Sequence, residues 1–145
     1  MPIYLDNSST TFPKPPAVVE AIAHYLTDCG VNVSRGGYRA AYAAEDLVFS
    51  TRERLAALFR APDCKCVCFT KNVTESLNVL LKGFLRPGDH VLVTDLEHNA
   101  VLRPLKAMEA HGVSFTVVPV TPCDNDATLD AFRRAIRENT RMFIC

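Results

Sequence analysis

The sequence predicts an α/β fold, a mainly parallel sheet with helices on both faces. Short apolar runs of strand length alternate along the chain with stretches whose apolar residues recur at helical spacing. Turn-forming residues separate them: Pro15-Pro16, Gly30, Arg86-Pro87-Gly88-Asp89 and Gly112. No internal repeat, low-complexity tract or linker interrupts the alternation.

The first helix follows from Pro15 and Pro16, which suit a first turn because its N–H groups lack partners anyway. Val18, Val19, Ile22, Tyr25 and Leu26 give its apolar stripe, and Gly30 is a suitable stop. Ala44, Leu47, Val48, Thr51, Leu55 and Leu58 predict a second amphipathic helix of four or five turns. Cys66 to Thr70 reads as a short buried strand. Asn72 to Phe84 reads as a helix with Leu77, Leu80, Leu81 and Phe84 inward. His90 to Thr94 is a strand, and Val101, Leu102, Leu105 and Met108 mark a helix closed near Gly112. Val113 to Val118 is a third strand, Leu129, Phe132 and Ile136 mark a helix, and Arg141 to Cys145 begins a fourth strand. That last apolar run stops without a following helix, so the expectation is a chain cut within a larger fold.

Composition narrows the function classes. The 145 residues carry 16 Lys and Arg against 16 Asp and Glu, and 48% are hydrophobic. Zero net charge supplies no basic footprint for nucleic acid. No apolar run reaches the roughly 20 residues of a membrane span. The N-terminus lacks a basic segment followed by an apolar one, so a soluble, cytoplasmic protein is expected. The six cysteines are then expected as reduced thiols. Cys64, Cys66 and Cys68 alternate, which would place all three on one face of a strand. Their spacing departs from zinc pairs and has no histidine partner, so no metal site is assigned.

Three segments carry chemistry. In FTKNVTESLN (Phe69 to Asn78), Asn72 is a suitable N-cap and Glu75 stands three residues on, as in a capping box. The free N–H groups of Val73 and Thr74, with the Thr74 hydroxyl, make a candidate phosphate site at the helix start; an ordinary cap needs no ligand. In TDLEHNAVLRP (Thr94 to Pro104), His98 falls in a loop at the same sheet edge. Its ring could stack on a flat cofactor or move protons, or it could merely cap the next helix. IYLDNSSTT (Ile3 to Thr11) and SRGGY (Ser34 to Tyr38) are dense in turn residues, and Gly36 and Gly37 permit close approach of a ligand.

Taken together, these segments resemble the class V aminotransferase family of pyridoxal-phosphate enzymes, and within it the cysteine desulfurases. YLDNSSTT resembles the family's opening YLDNAATT, and VNVSRGGY its Asn/Ser-Arg-Gly loop. FTKNVTESLN looks like its phosphate-binding segment, and PGDHVLVTDLEHNAVLRP its strand leading to the ring-stacking histidine. The resemblance implies the N-terminal part of the large domain of a fold-type I enzyme. Residues 1–40 would be an active-site-proximal segment and 41–145 a partial cofactor-binding domain. Val73 and Thr74 would hold the phosphate of pyridoxal phosphate, and His98 would stack on its ring. Asn7 would lie near the substrate, with Arg35, Gly36 and Gly37 beside the site and reaching a neighbouring subunit. Lys71-Asn72 replaces the Gly or Ser common in the family's turn. Asn tolerates left-handed backbone, and Lys71 would add charge near the phosphate.

The implied reaction removes sulfur from L-cysteine, giving alanine and a persulfide, in a homodimer. It needs a Schiff-base lysine, an Asp facing the ring nitrogen and a nucleophilic cysteine. None of Lys14, Lys65, Lys71, Lys82 and Lys106 stands in the family's Ser-x-His-Lys context, and no cysteine matches its catalytic loop. This chain alone is therefore expected to be inactive. A selenocysteine lyase, another class V aminotransferase, or a non-catalytic anion-binding module are the alternatives.

Overall fold

The computed structural model describes residues 3–33 and 36–145. The chain divides into two compact units, Met1–Cys68 and Phe69–Cys145. In the first, α1 (Pro16–His24) has proline in its first turn, as predicted, and passes into a π-type turn over Tyr25–Cys29. Its apolar stripe of Val18, Val19, Ile22 and Leu26 is exposed. The long helix α2 (Arg39–Phe59) buries alanines, Ala41, Ala44 and Ala56, while Leu47 and Leu58 of the predicted stripe are exposed. Arg60 ends α2 in a left-handed conformation, at φ 52.

The strand predicted over Cys66 to Thr70 is absent. Cys64–Cys66 form a 3₁₀ turn, started by Asp63, whose carboxylate accepts from the Lys65 N–H at 2.7 Å. Residues 67–70 join no ladder, and a strand without a ladder partner has nothing to satisfy its backbone groups. The alternation of Cys64, Cys66 and Cys68 is therefore not a strand face, and Cys66 and Cys68 are exposed. Partial burial and the Asp63 carboxylate push the Cys64 thiol above its ordinary range, which disfavours the thiolate.

The second unit holds α3 (Val73–Phe84), β1 (His90–Thr94), α4 (Asn99–Glu109), β2 (Ser114–Val118), α5 (Asn125–Ala135) and β3 (Thr140–Ile144). The strands form a parallel sheet in the order β2-β1-β3. Every residue of β1 is buried; its Val91-Leu92-Val93 centre suits a central parallel strand, and His90 and Thr94 are its buried polar ends. Val91 and Val93 face one side, packed with Leu81 and Leu85 at the end of α3 and with Val101, Leu105 and Met108 of α4. Leu92 faces the other side in register with Phe143, whose ring meets Phe132 of α5 at 6.1 Å. Helices therefore cover both faces. Only part of the stripe predicted for α3 turns inward: Leu81 is buried and Leu77 partly so, whereas Leu80 and Phe84 are exposed. The Arg141 guanidinium, carried on an irregularity between β1 and β3, lies 5.1 Å from the Phe84 ring.

The Arg86-Pro87-Gly88-Asp89 turn aims the chain into β1. Asp89 N–H donates to the Arg86 carbonyl at 3.0 Å, and Gly88 takes φ 94, the left-handed position that a proline-led turn of this kind reserves for glycine. Gly88 N–H then donates to the Gly112 carbonyl at 2.8 Å, tying this turn to the one that closes α4.

His90 has a role the sequence did not disclose. It is fully buried, and its ring spans all three strands. Nδ1 lies 2.9 Å from the Thr140 hydroxyl of β3, and Nε2 lies 2.9 Å from the Thr116 hydroxyl of β2. Burial, helped by the nearby Arg137 guanidinium, lowers its pKa below the ordinary 6.5. A histidine whose folded pKa is depressed binds protons more readily when unfolded. Its stabilising contribution is thus complete above pH 6.5 and is lost as pH falls toward the folded value. The urea midpoint of the chain should fall as pH drops below 6.5, and His90→Gln should flatten that dependence; equal slopes for both proteins would refute it.

Candidate functional site

The site begins at the start of α3. Asn72 is the N-cap, with extended backbone at φ −168, so its tolerance of left-handed geometry is not used. Its Oδ1 accepts from the Glu75 N–H at 2.9 Å. Glu75 Oε2 reaches back to the N–H of Lys71, at 2.7 Å, one residue before the cap that a standard capping box would engage. The reciprocal pair therefore secures the whole turn. Thr70 reinforces it through contacts with the Asn72 carbonyl at 3.0 Å and the Ser76 hydroxyl at 2.5 Å. Replacing Asn72 by Ala should lower the unfolding free energy by about 1 kcal/mol. Urea unfolding measures this, and an unchanged midpoint would show that the cap is idle.

Helix geometry leaves the N–H groups of Val73 and Thr74, at the first two helical positions, without i−4 carbonyls. They coincide with the positive end of the α3 dipole. The Thr74 carbonyl accepts from Asn78 Nδ2 at 2.9 Å, which fixes the amide one turn along.

His98 enters from the carboxyl end of β1. The loop that carries it is held at three points. The Thr94 hydroxyl donates to Glu97 Oε1 at 2.7 Å, Asp95 N–H donates to the Val118 carbonyl at 3.1 Å, and Asp95 Oδ1 accepts from Val120 N–H at 3.0 Å. His98 is itself the N-cap of α4: Ala100 N–H donates to its Nδ1 at 3.1 Å.

The two segments meet. Thr74, Asn78 and Lys82 from α3 and His98, Asn99 and Arg103 from the start of α4 line one open groove of about 410 Å³. Thr74, in the first turn of α3, and His98, in the loop after β1, thus share a cavity. Lys82 and Arg103 add positive charge to its walls, a feature not singled out in the sequence. Helical spacing from Thr74 through Asn78 to Lys82, four residues apart each time, was the available signal.

The remaining predicted site residues belong to the first unit. Asn7 is exposed, and its Oδ1 accepts from the Phe12 N–H at 3.4 Å, across a loop braced by the Tyr4 hydroxyl on the Thr10 carbonyl at 2.9 Å. At Gly36 a Cβ would lie 2.1 Å from the Tyr38 ring, so that ring is what comes close to its backbone. Gly37 has only the Tyr42 hydroxyl, at 4.0 Å, near that position. Arg35 lies outside the described residues. Among the described residues, no three His, Cys, Asp or Glu side chains converge to hold a metal ion, and no helix is long and apolar enough to cross a membrane.

A parallel α/β unit whose α3 start and the histidine that caps α4 line one groove is the architecture in which open α/β sheets carry their ligand sites. The family model for class-V aminotransferases matches residues 3–145, and the chain belongs to that family. Cysteine desulfurase IscS of Methylococcus capsulatus is 36% identical over 145 residues, which cover 97% of this chain and 35% of that protein. Cysteine desulfurase CsdA of Escherichia coli, a solved structure, is 30% identical with a TM-score of 0.69, covering 94% of this chain and 35% of that one. The cystine C–S lyase C-DES, solved with its product cysteine persulfide, is 25% identical with a TM-score of 0.73, over 90% of this chain and 35% of that one. A mutant of C-DES has been solved with glycine covalently linked to its PLP cofactor. The chain spans about a third of the length of these relatives.

Proposed function

We propose that this chain supplies the phosphate-binding and ring-stacking side of a pyridoxal-phosphate site in a cysteine desulfurase-like enzyme. The observation that carries it is the shared groove of Thr74 and His98. The residues fit the group. The Val73 and Thr74 N–H groups and the Thr74 hydroxyl suit a phosphate dianion, and the flat imidazole of His98 suits the face of a pyridine ring. When bound, pyridoxal phosphate acts as the electron sink that allows bonds at an amino acid's carbons to break. L-cysteine is the proposed substrate, and a homodimer in the cytoplasm the proposed setting. A selenocysteine lyase or another class V aminotransferase would use the same groove. The family likeness carries the assignment of Asn7, Arg35, Gly36 and Gly37 as substrate-proximal residues, and of residues 1–40 and 41–145 as active-site-proximal segment and partial cofactor domain.

The 145-residue chain by itself is proposed to bind without turnover, because none of its five lysines has the family's Schiff-base context. Pyridoxal phosphate, titrated by its visible absorbance, should bind saturably and be displaced by inorganic phosphate. Thr74→Val, which keeps the N–H and removes the hydroxyl, should weaken binding about tenfold, as loss of a hydrogen bond to a charged group does. Indifference to phosphate competition would sink the phosphate assignment. Borohydride should leave no cofactor mass on any lysine, including Lys82 in the groove wall. A labelled lysine together with release of alanine from L-cysteine would overturn the expected inactivity.

A further inference from the structure

We propose that the Ala100 backbone N–H pins His98 in its neutral Nε2–H tautomer, so that the ring offers its ligand a hydrogen donor and not an acceptor. The Ala100 nitrogen lies 3.1 Å from Nδ1 with its hydrogen directed there. An Nδ1 that accepts must be unprotonated, and a neutral imidazole then carries its hydrogen on Nε2. The partner is compelled as well as available. Ala100 is at the second position of α4, where its N–H has no i−4 carbonyl, and the residue is buried. A proton on Nδ1 would set donor against donor and leave that buried N–H without a partner.

The loop leaves His98 little freedom to compensate. Glu97 is bonded to Thr94 at the end of β1, and Asp95 to Val118 and Val120 at the end of β2, so the backbone entering His98 is anchored to two strands. Ala100 is thus a positioning residue acting through its main chain. The group that Nε2–H meets in the groove must be an acceptor, such as a phosphate, carboxylate or phenolate oxygen. That ligand class rests on the pyridoxal-phosphate assignment, whereas the tautomer is a property of the chain alone and is measured without ligand.

The test is imidazole-ring NMR on the 15N-labelled chain at mildly alkaline pH, with exposed His111 as internal reference. His98 should give one tautomer, with Nδ1 unprotonated and the Nδ1–H form undetectable. A through-hydrogen-bond coupling should connect the Ala100 amide nitrogen to His98 Nδ1. Ala100→Pro removes the donor at a first-turn position that tolerates proline, and should return His98 to the tautomer mixture of His111. If that variant does not fold, the coupling in the unmodified chain decides alone. A His98 mixture matching that of His111 in the unmodified chain, or an absent coupling, overturns the proposal. Either result leaves the phosphate-competition test of the cofactor assignment independent.

Discussion

Leu105→Ala should lower the unfolding free energy of the chain by about 2–5 kcal/mol. Leu105 is the inward residue at the middle of α4 and is 0% exposed. It belongs to the cluster with Leu81 and Leu85, Val91 and Val93 of β1, and Val113 before β2. Truncation to alanine removes its isopropyl group from the interior of this cluster. The surrounding groups sit on α3, α4 and the sheet, so they cannot all relax into the space without moving a helix. Urea unfolding followed by circular dichroism gives the value. A loss below about 1 kcal/mol, the effect of an ordinary surface change, would contradict the packing described.

Val93→Asp should abolish cooperative folding of the second unit, whereas Val117→Asp should leave it folded. The two valines are register partners on β1 and β2, so residue type and register position are matched and burial is what differs. Val93 is 0% exposed and Val117 is 47% exposed. A carboxylate at Val93 would have to be desolvated without a partner or be held protonated, at a cost of several kcal/mol. That is comparable with the whole stability of a typical domain, about 5–15 kcal/mol. At Val117 the carboxylate keeps its water. Similar unfolding profiles for the two variants would mean that β1 is not the central buried strand.

Much of the fold was legible because local rules and tertiary demands agree there. The segment His90 to Thr94, apolar at its Val-Leu-Val centre, has the length of a buried parallel strand, and the Pro87-Gly88 turn and Gly112 punctuate its neighbours. Asn72 with Glu75 announced the start of α3, and the structure altered only which N–H the glutamate receives. The failures lie where a pattern had two solutions. The alternating cysteines satisfy strand periodicity, but Asp63 offers a side-chain acceptor that favours a 3₁₀ turn instead. In α3, Leu80 and Phe84 are as apolar as Leu77 and Leu81, and only the position of the sheet decides which pair is covered.

The site divides in the same way. Thr74 and His98 were each readable as residues at the polar start of a helix, since N-cap chemistry is local in sequence. Their meeting in one groove was not, because it depends on α3 packing beside α4 above a shared sheet. His90 is the sharpest case. As a single letter at the head of a strand it carried no signal, and its role exists only once Thr116 and Thr140 arrive from 26 and 50 residues away. The sequence by itself determined the alternation of helices and strands apart from the strand expected over Cys66 to Thr70, the starts of α1 and α3, and the family, because these rest on nearest-neighbour chemistry and ordered motifs. The tertiary structure alone decided burial, the bridging of three strands by His90, and the hydrogen bond that orients His98 within a groove, because each is a property of distances between segments.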